Sequence, residues 1–146
     1  MSDSKRKQVL DAIVDSLEGI SGVKLVTQNY RGPLDNSPHK FPIIIVQDET
    51  TGIERLAYLD ATAVDMKAEL EVSCTCFVHD MHNDTASKRT ELASSVESTL
   101  VSDTTLAALV INVEPIRIET DNGSLDNYSI FDVVFRVEYL YNHLSP

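Results

Sequence analysis

The stretch MKAELEVSCTCFVHD, Met66 to Asp80, decides the fold. Met66, Ala68, Leu70, Val72, Cys74, Cys76 and Val78 alternate with Lys67, Glu69, Glu71, Ser73, Thr75, Phe77 and His79. Successive side chains of a strand point to opposite faces, so a period of two predicts a strand with one buried and one wet face. At about 3.3 Å per residue the segment from Met66 to Val78 extends roughly 40 Å, about twice a typical strand. Such a strand either bends at a bulge or projects beyond its own domain to meet a neighbour.

Working outward, residues 4–20 read as a helix. Val9, Leu10, Ile13, Val14, Leu17 and Ile20 recur at spacings of three and four and form one apolar stripe. Ser2 or Ser4 is placed to cap its start, and Gly19 and Gly22 bracket its end. Val23 to Tyr30 is the first strand. RGPLDNSPHK, residues 31–40, holds two prolines and a glycine and is a loop longer than most connections. FPIIIVQD follows as a short strand, apolar on both faces for its first half, and DETTG closes a hairpin into a further strand, Ile53 to Leu59.

Beyond the long strand, Asn83 or Asp84 caps a second helix. Ala86, Arg89, Ala93, Val96 and Leu100 share one of its faces, with Leu92 beside them. TLAAL is a short turn into a strand from Val110 to Thr120. DNGSLDN, residues 121–127, carries the Asn-Gly signal of a hairpin loop. The closing strand alternates Phe131, Val133, Phe135, Val137, Tyr139 and Tyr141. The order α-β-β-β-β-α-β-β predicts an α+β fold: a largely antiparallel sheet with two main helices on one face. No repeat, low-complexity tract or boundary divides residues 1–146, which read as a single domain.

Composition narrows the function. Twelve basic against 23 acidic residues give a net charge of −11, which disfavours binding nucleic acid by neutralising phosphates. Lys5-Arg6-Lys7 is the one basic cluster and reads as the solvated first turn of a helix. The amphipathic N-terminal segment lacks the apolar core of a signal peptide, so cytoplasmic synthesis is the expectation. Cys74, Cys76, His79 and His82 crowd together in sequence, yet they make a poor zinc site. Both cysteines fall on the apolar face of the strand, whereas His79 falls on the other, about 16 Å of extended backbone from Cys74. They read as small buried hydrophobes. Glu69 and Glu71 lie on the wet face beside Lys67, Ser73 and Thr75, where neither carboxylate is desolvated for acid–base work. No phosphate-binding glycine loop, nucleophile elbow or H-E-x-x-H motif occurs, so no enzyme activity, catalytic residue, cofactor or metal is expected.

In type and order, nearly the whole chain resembles the bacteriophage tail terminator (tail completion) family, of the minor tail protein U type. The resemblance is carried by the opening helix KRKQVLDAIVDSLEGISGV, the aromatic-Pro start of FPIIIVQDE, MKAELEVSCTCFVHD running into a helix, TLAALVINVEPIRIETD and the closing FDVVFRVEYLY. Related sequences often have glycines where this chain has Ala107 and Ala108. The resemblance implies a homohexameric ring that caps the head-proximal end of the tail tube, stops its growth and docks to the head connector. It implies the tail tube protein and connector or neck proteins as partners, a virion location, and genomic DNA passing through the lumen unbound. A head–tail adaptor or neck (stopper) protein is the alternative. Candidate assembly residues are Tyr30, Arg31, Pro33 and Leu34 in the long loop, Asp48 and Glu49 in the DETTG segment, and Asp121 and Asn122 in the last hairpin loop.

Overall fold

The alternating stretch forms the middle strand of a five-stranded sheet. The computed structural model describes residues 4–28, 42–55, 65–79, 85–120 and 128–142. In chain order the elements are α1 (Lys5–Glu18), β1 (Leu25–Thr27), β2 (Ile43–Arg55), β3 (Asp65–His79), α2 (Thr85–Ser102), α3 (Thr104–Leu109), β4 (Asn112–Thr120) and β5 (Tyr128–Asn142). The strand order is β1-β2-β3-β5-β4, antiparallel throughout except for the parallel pair β1–β2.

The buried face follows the period of two. Ala68, Leu70, Val72, Cys74, Cys76 and Val78 of β3 are all fully or almost fully buried. They pair in register with Tyr139, Val137, Phe135, Val133, Phe131 and Ser129 of β5. The apolar stripes of all three helices close over this face: Val9, Leu10, Ile13 and Leu17 of α1, Leu92, Ala93, Val96 and Leu100 of α2, and Leu106 of α3 join one core. The expected α+β architecture, with both main helices on one side of a largely antiparallel sheet, is borne out.

Local chemistry sets the helix ends. The Ser4 hydroxyl accepts a hydrogen bond from the Lys7 amide at 3.2 Å, which satisfies one of the free donors of the first turn. After α1, Gly22 has φ of 90°, a left-handed conformation that lets the chain reverse towards β1. The Lys24 amide then donates to the Pro42 carbonyl at 2.9 Å, so β1 lies alongside the start of β2.

Two expectations need correction. The DETTG segment does not close a hairpin between two strands. Residues 43–48 pair with Phe77 to Val72 and residues 51–55 pair with Leu70 to Met66, so both halves belong to one strand, β2. The segment is a β-bulge between Asp48 and Thr51, with one more residue on β2 than on β3. Among the described residues, three strands, not four, therefore precede α2. TLAAL is also not a turn but the core of α3. The Asp103 carboxylate caps it by accepting from the Leu106 amide at 2.8 Å, and Ala107 and Ala108 suit a helix better than glycine would. The first strand is shorter than expected, Leu25–Thr27. Asn83, Asp84 and the DNGSLDN loop lie outside the described residues.

Candidate assembly surface

Opposite the helices, the same strands present their other set of side chains. Near the start of β2 this face, which carries no helix among the described residues, is apolar: Ile43, Ile45 and Val134 are buried, and Phe77 and Ile130 are half-buried. Along the rest of the face the strands carry charge. Glu69, Glu71 and Lys67 of β3 lie beside Asp132, Arg136 and Glu138 of β5, with Glu114, Arg117 and Glu119 of β4 and Glu49 of β2 on either side. Among the described side chains, that is seven carboxylates against three cations.

The cations sit between carboxylates. Arg117 reaches from β4 across β5, its guanidinium 3.6 Å from Glu71 on β3 and 3.8 Å from Glu49 on β2. On its own strand it donates to Glu119 at 3.1 Å. This path crosses Val134, the register partner of Arg117 on β5, and Val134 is only 1% exposed. Glu69 and Glu138 are direct cross-strand partners, an unfavourable pairing of like charges. Lys67 relieves it, 3.4 Å from Glu138 and 3.9 Å from Glu69. Arg136 donates to Glu114 at 3.0 Å.

The sheet edges differ. β4 is an edge strand that carries Pro115 and a bulge between Pro115 and Arg117, both of which discourage a further strand from pairing there. On the opposite side, β1 pairs with β2 only as far as Ile45. A cavity of about 340 Å³ opens just beyond, lined by Gln28, Val46, Gln47, Asp48 and Glu49. The two predicted interface residues among the described ones, Asp48 and Glu49, thus lie together on this rim. Asp48 accepts from Arg6 of α1, on the helix side, while Glu49 faces Arg117 on the other. Tyr30, Arg31, Pro33, Leu34, Asp121 and Asn122 lie outside the described residues.

The ionisable groups show no pairing of a nucleophile with a base among the described residues. Burial pushes the Cys74 thiol up to about 12 and raises that of Cys76 as well, with Asp132 adding to both. Each cysteine is free, and Cys76 Sγ donates to the Cys74 carbonyl at 3.5 Å. Thiols held neutral in this way pack as apolar groups. Burial likewise raises the Tyr139 phenol, with Arg6 opposing it. Asp11 on α1 goes the other way: hydrogen bonds from Lys7 and then Gln28 hold its carboxyl below the usual range. Among the described residues no cluster of three or more His, Cys, Asp or Glu could hold a metal, and no helix is long and apolar enough to cross a membrane.

The long-range ion pairs were not visible in sequence. Arg6 and Asp48 stand 42 positions apart, and nothing local marks either as the other's partner. The sheet order likewise brings Arg117 to Glu71 and Glu49.

No family model matches this chain, and no curated protein matches it. A solved structure does: a chain of the virion of a native gene transfer agent (GTA) particle, with a TM-score of 0.57 at 15% identity. The match covers 96% of this chain and 100% of that one, so the two share a fold over essentially their whole length.

Proposed function

We propose that this protein is a structural component of a virion. In this reading it forms a ring at the head-proximal end of a tail tube, stops tube growth and offers the docking surface for the head connector. The observation that carries the proposal is the end-to-end likeness of fold to a virion chain. The resemblance of its sequence pattern to tail terminators points the same way. The fold also suits assembly. β3 runs for 15 residues, and the helix-free face puts an ordered charge pattern on a broad surface where a neighbour can dock. The segment with Tyr30, Arg31, Pro33 and Leu34, the rim at Asp48 and Glu49, and the segment with Asp121 and Asn122 are the proposed contact regions. A ring of six copies would carry 6 × −11 = −66 charges, which would keep the phosphates of passing DNA from adhering.

Particles made without this protein distinguish the terminator from the adaptor. Loss of a terminator releases control of tube length, so tails of irregular length are expected. Tails of normal length that fail to join DNA-filled heads would instead identify an adaptor or neck protein, and normal particles would contradict both.

A further inference from the structure

The start of α1 conflicts with its own helix. Lys5, Arg6 and Lys7 are the only three consecutive basic residues in the sequence, and the first turn holds no acidic residue. A helix N-terminus favours negative charge, so the cations here oppose the local dipole. Arg6 is accounted for in part by its ion pair with Asp48, and Lys7 by Asp11 at 2.8 Å. Their side chains nevertheless stay 40% and 57% exposed, and Lys5 adds a third charge at the same corner. Where a sequence goes against local preference, the residues commonly serve another purpose.

The face opposite the helices has the reverse imbalance, seven carboxylates to three cations among its described side chains. Lys67 and Arg117 are already shared among two and three carboxylates respectively, which leaves negative charge for an outside cation to neutralise. The basic corner lies on the helix-covered side of the sheet and the acidic face on the other. Within one copy Arg6 meets the rim at Asp48, next to Glu49, and a second copy can offer its own acidic face to the rest of the corner. We propose that the basic corner of α1 seats on the acidic helix-free face of a second copy, around Glu49 and Glu69. This rests on the ring reading above and gives that ring its repeating contact. Because the two patches differ and point apart, the contact is head-to-tail, the type that closes into a ring when its rotation allows. A net charge of −11 sharpens it: most other juxtapositions of two copies set acid against acid, so repulsion removes wrong orientations.

Exchanging the charges tests the contact. One variant carries Lys5→Glu and Lys7→Glu, the other Glu49→Lys and Glu69→Lys. Circular dichroism melts check that each is folded; if Lys7→Glu crowds Asp11 and unfolds the chain, Lys7→Ala replaces it. Sedimentation velocity then reads self-association of the wild type, each variant and their equimolar mixture. Each variant alone should associate at least about tenfold more weakly than the wild type, because like charges now meet. The mixture should recover association, since each variant supplies the charge the other has lost. Variants that associate as the wild type does, or a mixture that fails to recover, would overturn the contact. If electron microscopy then still showed closed rings, the ring reading would survive without it. A wild-type chain that stays monomeric at every concentration reached would overturn the contact too.

Discussion

The two faces of β3 are built from alternate residues of the same strand and do different work. On the helix-covered face, Ala68 to Val78 lie beside β5 and join buried side chains of all three helices in one core. On the other face Lys67, Glu69 and Glu71 are partly exposed and make ion pairs of 3.4–3.9 Å. The first face sets the fold, because burying apolar surface drives folding and tolerates little change of shape. The second contributes little to stability, because exposed ion pairs are worth about 0–1 kcal/mol each. Its charges are therefore available for recognition.

The largest contrast is expected from Phe135→Ala. Phe135 is fully buried in the core, and its loss should cost about 3–5 kcal/mol in chemical denaturation. Glu69→Lys, on the opposite face of the adjacent strand, should change stability by less than about 0.5 kcal/mol while weakening association. Equal costs for the two would break the distinction between the faces.

The cysteines sharpen the same contrast. Cys74→Ala should cost about 1 kcal/mol in packing and leave assembly intact. Both thiols should resist a thiol reagent at pH 8 in the native protein and react fully once it is unfolded. Their raised values also carry a sign. The neutral thiol is favoured by folding, so its contribution is complete below the unfolded value near 8.5 and is lost as pH rises towards about 12. Denaturation followed upward from pH 8 should therefore show stability falling, and Cys74→Ala should flatten that fall.

The smallest effect is expected at Asp11, on the exposed rim of the helix layer. Its lowered carboxyl favours the charged form in the native state. That contribution is present above pH of about 4 and disappears as pH drops through the lowered value. Asp11→Asn should make acid unfolding shallower without changing stability at neutral pH by more than a small increment.

Much of the covered face was legible in the sequence, because burial leaves a period. The alternation of β3 and β5 and the stripes of α1 and α2 each repeat over many residues. What escaped was either short or non-local. The bulge between Asp48 and Thr51 has the composition of a turn, since both need polar residues that tolerate irregular backbone, and only the pairing with β3 tells them apart. At six residues α3 spans too few turns for its period to emerge. The parallel pairing of β1 is set by a partner 18 positions away and leaves no local mark. For the outer face, the alternation identified Glu69 and Glu71 as wet, but Arg117 and Arg6 acquire their roles only through strand order.

The central claim is a place in a particle, so the most direct measurement is cryo-electron microscopy of virions that carry this chain. A closed ring of copies between the last tube ring and the head connector, with a central opening that passes duplex DNA, is the expected result. Finding the chain inside the head, spread along the tube, or absent from the particle would contradict it.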